Sequence, residues 1–207
     1  MYACDACTKY GCYSGKEADC AQGCAGTEAA IQEEAKRCYF EDDNFKIAYN
    51  SALVEAEGYG VKNRLEELID FADKCGFKKL GVAMCLGLVR EGKALCAILR
   101  EHGFTVDSII CKNGSVSKAF LKIKDDQQVH PGRFEPMCNP IAQAKLLNAA
   151  KTEFNIVLGL CVGHDSLFIK YAEAPVTVFA VKDRVLRHNP LDAIYQSERY
   201  KNQFEKK

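Results

Sequence analysis

The sequence predicts an α/β protein built on a doubly wound, mostly parallel sheet of four strands, with helices on both faces. Short apolar runs alternate along the chain with segments of helical periodicity, and this alternation is typical of β-α-β units. The runs are nearly continuous in apolar residues, as expected for strands covered on both faces. Apolar residues make up 48% of the 207 residues, which is enough for a sizeable core. A cysteine-rich segment precedes this domain.

Three helices are predicted before the first strand. Thr27 is a suitable N-cap for a helix that extends to Tyr39, and residues 43–57 form a second helix that ends in a glycine-rich turn. Residues 62–75 carry apolar side chains at helical spacing, and Gly76 supplies the stop signal of this third helix.

Four strands alternate with helices in the rest of the chain. The strands are predicted at residues 79–85, 105–111, 155–161 and 175–182. Two of the helices open with an Asn-Pro pair, which suits the N-cap and the first helical position. The helices are predicted at residues 90–102, 139–152, 165–173 and from residue 189 onward. We therefore expect a cysteine-rich segment over residues 1–40 and an α/β domain over residues 41–207.

Charge and hydropathy argue against two classes of partner. The 28 basic side chains are balanced by 28 acidic ones, so the chain lacks the electrostatic footprint of a nucleic-acid-binding protein. No apolar stretch reaches the length of about 18 residues that spans a bilayer, and the N-terminus lacks the basic and apolar regions of a secretory signal. We expect a cytoplasmic protein whose 12 cysteines are metal ligands, catalysts or core residues rather than disulfides.

Four cysteines are predicted to converge at one edge of the sheet. Cys85, Cys111 and Cys161 each end a predicted strand, and the carboxyl ends of parallel strands share the edge where ligands bind. Cys138 precedes a helix that begins on the same side, where the helix dipole favours a thiolate. This soft set suits an iron–sulfur cluster, with the [4Fe–4S] type favoured, or a cysteine-ligated zinc ion. The alternative is that all four are ordinary buried cysteines.

A second group of cysteines lies at the N-terminus. Cys4, Cys7 and Cys12 begin with the C-x2-C spacing that lets two sulfurs face one ion, and Cys20 or Cys24 would complete a site of four ligands. The segment has almost no large aliphatic residues, so metal binding would supply the folding energy that it lacks. The spacing does not distinguish zinc from an iron–sulfur centre, and the alternative is a flexible, redox-labile tail.

Two polar residues are candidates for catalysis beside the sheet-edge cysteines. His164 lies on a strand-to-helix loop shortly after Cys161, where it would ligate a metal or act as an acid or base. Arg133 lies in segment 112–137, which is so long that it indicates a lid or unrecognised structure. This arginine would bind an anionic substrate or offset cluster charge, unless it is a solvated surface residue. No standard glycine-rich phosphate loop follows the first strand, so nucleotide binding has little support.

Five stretches of the chain are similar to one known family: the cysteine-rich opening, EAEGYG (55–60), CNPIAQAKLLN (138–148), NIVLGLCVGHDSLFIKY (155–171) and APVTVFAVKDRVLRHNPLDAIY (174–195). Through these stretches the chain resembles, over nearly its whole length, the uncharacterised metal-binding proteins of the domain of unknown function 1847 family. The resemblance implies metal binding by cysteines and supports Cys85, Cys111, Cys138 and Cys161 as motif positions. It implies neither a particular metal nor a reaction.

Three functions are consistent with these patterns. The first is an iron–sulfur protein that carries out redox or sulfur chemistry with a small-molecule substrate or a redox partner. The second is a non-enzymatic zinc-binding or redox-sensing module, in which oxidation of the thiols releases the metal. The third is a thiol-dependent enzyme without metal, which uses one strand-end cysteine as its nucleophile.

Overall fold

The computed structural model describes residues 2–205, which fall into two compact units divided between Tyr59 and Gly60. The first unit contains the cysteine-rich segment and three helices, α1 (Gly11–Ser14), α2 (Ala29–Cys38) and α3 (Asn44–Gly58). Within the cysteine-rich segment the backbone packs closely at Gly11, since a β-carbon there would lie 2.8 Å from the backbone nitrogen of Cys20. The sequence predicted a cysteine-rich segment over residues 1–40 and a separate domain over residues 41–207, and this division stays a prediction.

The second unit is the predicted α/β domain. Its strands are β1 (Lys79–Met84), β2 (Thr105–Ile110), β3 (Phe154–Leu160) and β4 (Val176–Val181). Its helices are α4 (Arg64–Lys74), α5 (Val89–Glu101), α6 (Pro140–Ala149), α7 (His164–Tyr171), α8 (Leu191–Tyr195) and α9 (Ser197–Phe204). Every predicted element is present, and the last predicted helix is two short helices. Across residues 2–205, no helix combines the length and the hydropathy needed to cross a membrane.

The four strands form one parallel sheet in the order β2-β1-β3-β4. The chain runs outward from β1 to β2 and then crosses back to β3, so the strand order reverses between β1 and β3. In a doubly wound fold this reversal opens a crevice beyond the carboxyl ends of the strands. The predicted fold class is therefore confirmed, and the sheet is parallel throughout.

Different helices cover the two faces of the sheet. Val82 and Met84 of β1 lie in an apolar cluster with residues of α4 and α5. Ala83, between them, lies in a second cluster with residues of α6 and α7. Successive residues of a strand point to opposite faces, so both faces are buried. This double burial explains why the strands are nearly continuous apolar runs in the sequence.

The long connection between β2 and α6 has structure of its own. It contains three short 3₁₀ turns, and its two ends are joined by an antiparallel bridge between Ser117 and Pro136. The Lys118 N–H donates to the Glu135 carbonyl at 3.0 Å, and the two side chains form an ion pair. We call this segment the Ω-loop (residues 112–138) because its base is closed as in an Ω-loop, although it is longer than the usual length of about 6–16 residues.

A bulge in β3 depends on Gly159. The register between β3 and β4 shifts on both sides of Leu158. Gly159 has a φ of +69°, and a β-carbon there would lie 2.1 Å from Leu88 Cδ1. Only glycine meets both constraints without strain. The bulge comes two residues before Cys161, so it determines where that cysteine leaves the sheet.

Replacing Gly159 with alanine is expected to lower the free energy of unfolding by about 2–4 kcal/mol, because left-handed strain and overpacking against Leu88 add together. Denaturant unfolding followed by circular dichroism measures this loss. Gly76→Ala is the matched control, because Gly76 has a φ of +72° with no neighbouring atom within 4 Å of the added β-carbon. The control is expected to lose roughly 1–2 kcal/mol from strain alone. Equal losses in the two variants would contradict the packing argument.

Candidate functional site

The carboxyl edge of the sheet places four residues of interest side by side. Cys85, Cys111, Cys161 and Lys182 directly follow β1, β2, β3 and β4, respectively. The Cys85 N–H donates to the Leu158 carbonyl at 3.0 Å, and the Cys111 N–H donates to the Met84 carbonyl at 2.8 Å. The Lys182 N–H donates to the Leu160 carbonyl at 3.0 Å. These bonds extend the ladder past the strands and fix the backbone at three of the four positions.

The base of the Ω-loop brings Cys138 back to Cys111. The Met137 N–H donates to the Val116 carbonyl, and the Asn139 N–H donates to the Cys111 carbonyl, both at 2.7 Å. Asn139 also begins α6, where its side-chain oxygen accepts a hydrogen bond from the Ala142 N–H at 3.2 Å. Cys138 lies between these two anchored residues. Cys111 and Cys138 are 27 positions apart in the sequence, and the loop brings their thiols close enough to interact.

Cys85, Cys111 and Cys138 lie close enough for their thiols to change one another's pKa, and we call them the thiol trio. Cys111 is its centre, because its thiol interacts with the sulfurs of both other residues. Cys111 and Cys85 are buried, with exposed fractions of 3% and 9%, and Cys138 is half-buried. A thiol carries one proton and can donate to only one of its two partners at a time. The trio is therefore a coupled group rather than three independent thiols.

Hydrogen bonding and nearby cations favour the thiolate forms of the two outer cysteines. The hydrogen bond from Cys111 lowers the pKa of Cys85 to about 5 against the opposing effect of burial, with further help from the Gly87 N–H and Lys182. The same partner lowers the pKa of Cys138 to about 6, again against burial, with help from the charges of Lys112 and His164. The thiolate forms of Cys85 and Cys138 are therefore favoured, each when it accepts the hydrogen bond from Cys111.

Cys111 has the opposite tendency. Its hydrogen bonds to Cys138 and Cys85, together with burial, raise the pKa of the Cys111 thiol far above its usual range. The Leu86 N–H donates to the Cys111 sulfur at 3.3 Å and offsets a small part of this effect. Cys111 thus keeps the proton that the trio shares, and it separates two negatively charged sulfurs.

Cys161 is bound by a cation. Arg184 Nη2 donates to Cys161 Sγ at 3.3 Å. This hydrogen bond, and then the charges of Cys161, Cys85 and Cys138, raise the pKa of the Arg184 guanidinium. Arg184 therefore lies within electrostatic reach of both Cys161 and the outer thiols of the trio. The four predicted sheet-edge cysteines accordingly occupy one region, in which three interact directly and the fourth is linked through Arg184.

The two predicted catalytic residues lie in different surroundings. His164 begins α7, its N–H donates to the Cys161 carbonyl at 2.9 Å, and its charge acts on Cys138. Arg133 is exposed on the Ω-loop, and its side chain makes no hydrogen bond or ion pair within the described part of the chain. The structure thus brings His164 to the thiols and records no contact between Arg133 and them. Their catalytic roles stay predictions.

Two cations at this edge were missed by the sequence interpretation. Gly87 lies between Lys182 and Cys85, since a β-carbon on Gly87 would lie 3.5 Å from Lys182 Nζ and 3.8 Å from Cys85 Sγ. The cysteines were predicted to lie here because residues that follow parallel strands share one edge of the sheet. The same rule applies to Lys182, which follows β4 as Cys161 follows β3. Arg184 lies two residues further along in a turn, and no pattern in the sequence identifies it.

The N-terminal cysteines show a partial arrangement. Backbone N–H groups of Tyr10 and Lys9 donate to Cys7 and lower the pKa of its thiol. The Gly26 N–H donates to Cys24 Sγ at 3.4 Å. A β-carbon on Gly26 would lie 3.5 Å from Cys24 Sγ and 3.7 Å from Cys12 Cβ, so Gly26 lies against both residues. Cys4 is exposed and Cys20 is half-buried.

Neither set of cysteines forms a preassembled coordination shell. Among residues 2–205, no group of three or more His, Cys, Asp or Glu side chains is arranged to hold a metal ion. Metal ligation at the sheet edge and at the N-terminus therefore stays a prediction. Cys75 and Cys96 are buried in the apolar cluster beside α4 and α5, and burial raises the pKa of the Cys96 thiol. Their assignment to the core is confirmed.

The fold and this edge define an α/β protein with a cysteine cluster at the switch point of a parallel sheet. The chain belongs to the family described as "Protein of unknown function (DUF1847)", whose profile matches residues 24–179. It is 46% identical over 192 residues to the uncharacterised protein MJ0455 of Methanocaldococcus jannaschii, and the match covers 93% of each chain. No solved structure matches. The family resemblance expected from the motifs is confirmed, and the family description leaves metal binding open.

The alkylation rate of Cys138 by iodoacetamide is expected to rise with pH around a midpoint of about 6. The thiolate is the form that reacts, and the alkylation rate of an ordinary cysteine has its midpoint at pH about 8.5. Cys111→Ala removes the main cause of the lowered pKa and is expected to shift the midpoint upward. Quantitative mass spectrometry of chelator-treated, reduced protein measures both rates, with N-acetylcysteine in the same solution as the reference. A midpoint near that of the reference in the unaltered protein would contradict the trio's electrostatics.

Proposed function

We propose that the sheet edge binds a soft metal centre through Cys85, Cys111, Cys138 and Cys161, and that an iron–sulfur cluster is its preferred occupant. The thiol trio carries the proposal, because sulfurs from three separate segments interact around Cys111. Cys161 follows the central strand β3, and its partner Arg184 also interacts with Cys85 and Cys138. Cysteine sulfurs are the donors that iron–sulfur clusters and zinc prefer.

The charges around the cysteines support the same occupant. A set of four thiolates is strongly negative, and it is costly to bury unless positive charge lies nearby. Lys182 lies beside Cys85, Arg184 binds Cys161, and the charges of Lys112 and His164 act on Cys138. These cations would offset the charge of the ligand set and stabilise it in a partly buried place.

Binding would require a small rearrangement of the sulfurs. In the structure the Cys111 thiol interacts with the sulfurs of Cys85 and Cys138. Rotation about χ1 of short cysteine side chains would exchange these interactions for metal–sulfur bonds and would release the proton on Cys111. The backbone hydrogen bonds of Cys85, Cys111 and Asn139 would keep the Cα positions fixed during this exchange.

At this edge the chain's own residues would bind and orient a small molecule. A bound cluster supplies electron transfer or a place for sulfur uptake. Arg184 and Lys182 would attract an anionic substrate, with Arg133 of the Ω-loop as a further candidate for that role. His164, next to Cys138, would hold or deliver a proton. A reducing cytoplasm would keep the thiols available for this chemistry.

We also propose a second metal site at the N-terminus, with Cys4, Cys7, Cys12 and Cys24 as ligands. The position of Gly26 against Cys12 and Cys24 supports Cys24, rather than Cys20, as the fourth ligand. N–H···S bonds to Cys7 and Cys24 are typical of the second shell that orients metal ligands. Metal bound here would stabilise a segment whose described part contains little buried apolar surface.

The contact between Cys111 and Cys138 favours a second candidate function, a redox-sensing zinc module. Two neighbouring thiols can be oxidised to a disulfide by hydrogen peroxide, which is reduced to two molecules of water. Because both residues are proposed ligands, the disulfide would release the metal. The same contact is compatible with a thiol-dependent enzyme in which Cys85 or Cys138 is the nucleophile.

Anaerobic purification is expected to yield brown protein with about four iron atoms and four sulfides at the sheet edge. Cys111→Ser is expected to lose most of this iron, because Cys111 joins the other two sulfurs of the trio. Iron, zinc and acid-labile sulfide analyses, with visible spectra, measure the content. Cys38→Ser is the matched control, since Cys38 is exposed and outside both proposed sites, and it should retain the colour.

Three results would overturn the iron–sulfur proposal at the sheet edge. Colourless protein that contains zinc without iron would favour the zinc module, above all if peroxide releases the zinc together with formation of a Cys111 disulfide. Protein with full activity in a metal-free state would favour thiol catalysis. Iron content equal in Cys111→Ser and the unaltered chain would show that the cluster lies elsewhere.

At the N-terminus, Cys24→Ser is expected to lose zinc affinity, whereas Cys20→Ser should retain it. Both variants are made on a Cys111→Ser background, so that the sheet edge does not compete for the ion. Competition with a colorimetric zinc chelator ranks the affinities. The opposite order would assign the fourth ligand to Cys20, and equal retention in both variants would remove the proposed site.

A further inference from the structure

The turn after β4 is held in a strained conformation by its own side chains. Asp183 Oδ1 accepts hydrogen bonds from the Val185 N–H at 2.9 Å and the Leu186 N–H at 2.8 Å. The Asp183 N–H donates to His188 Nδ1 at 3.1 Å, and the His188 N–H returns a bond to the Asp183 carbonyl at 3.0 Å. Arg187 and His188 have φ values of +52° and +68°. Such strain persists only where surrounding interactions impose it, and it is concentrated at functional sites.

The turn presents Arg184 to Cys161. Arg184 is the second residue of the turn, and its Nη2 donates to Cys161 Sγ at 3.3 Å. Asp183 Oδ1 accepts from the turn's own N–H groups, and among the described residues the Asp183 carboxylate forms no ion pair with the neighbouring guanidinium. A fixed backbone on either side of Arg184 limits the positions that its long side chain can reach. The strained turn therefore places the Arg184 guanidinium against Cys161 Sγ.

Cys161 needs an external partner in a way that the trio does not. The Cys111 thiol interacts with Cys85 and Cys138, so each of these three sulfurs has a neighbouring sulfur. The Cys161 carbonyl accepts bonds from the N–H groups of His164 and Asp165, at 2.9 and 3.2 Å, which fix its backbone but not its side chain. A cysteine side chain has three staggered χ1 rotamers. The hydrogen bond from Arg184 selects among them.

We infer that Arg184 is a positioning residue that makes Cys161 the fourth ligand of the sheet-edge centre. The inference rests on the proposed metal site, and it divides that site into three mutually supported sulfurs and one that depends on Arg184. Loss of Arg184 leaves a centre with three cysteine ligands and an open fourth position. This position is open to a small molecule from solvent, since the neighbouring Val162 is exposed and Cys161 is half-buried.

Cobalt(II) is the probe, because its sulfur-to-metal charge-transfer absorption grows with the number of bound thiolates. On a Cys24→Ser background, Cys161→Ser is expected to lose about a quarter of the sheet-edge band, as one of four ligands is removed. Arg184→Gln is expected to lose the same share, and Arg184→Lys is expected to recover part of it. Arg187→Gln, which makes the same charge change in the same turn, should keep the full band.

Alkylation of the cobalt-loaded proteins gives a second readout. Cys161 is expected to be protected in the unaltered chain and in Arg187→Gln, and to be alkylated in Arg184→Gln. If Cys161→Ser loses its share while Arg184→Gln keeps the full band, the positioning role of Arg184 is overturned and the metal site stands. If the unaltered sheet edge gives no thiolate–cobalt band, the metal proposal itself fails and the inference fails with it.

Discussion

The parallel direction of the four strands is the constraint on which the rest of the structure depends. In a parallel sheet, every residue that directly follows a strand lies at the same edge. Three cysteines and one lysine occupy those positions here, and backbone bonds beyond the strands hold Cys85, Cys111 and Lys182 in place. An antiparallel strand in the sheet would have sent one of these residues to the opposite edge. The chemistry of the site thus follows from strand direction before any side-chain contact is considered.

Two electrostatic costs act on the thiolates at this edge. Thiolates near each other repel, and burial makes each of them more costly. Cys111 reduces the repulsion because it keeps its proton between Cys85 and Cys138. Cations from several segments offset the negative charge of the thiolates. Lys182, Arg184 and His164 each come from a different element than the sulfur on which they act, and Lys112 and Cys138 lie at opposite ends of the Ω-loop. The site is consequently a product of the whole α/β unit rather than of one motif.

The sequence was sufficient to predict the strands and their cysteines, because buried parallel strands leave a strong apolar signal and the strand-end rule is geometric. It was insufficient for Arg184, since the hydrogen bond to Cys161 depends on a turn whose shape is set by Asp183 and His188. The sequence did not predict the closure of the Ω-loop for a similar reason. The bridge that closes it joins Ser117 and Pro136, and neither residue lies in a pattern that indicates pairing. At the N-terminus, spacing alone left Cys20 and Cys24 equivalent, and the proposal of Cys24 comes from the position of Gly26 against Cys12 and Cys24.

The most direct test of the central claim is a crystal structure of anaerobically purified protein, with anomalous diffraction recorded at the iron and zinc absorption edges. A metal centre at the sheet edge would give an anomalous peak within bonding distance of the sulfurs of Cys85, Cys111, Cys138 and Cys161, with the iron edge as the stronger signal. A peak confined to the N-terminal cysteines, with no ion at the sulfurs of the thiol trio, would contradict metal binding at the sheet edge.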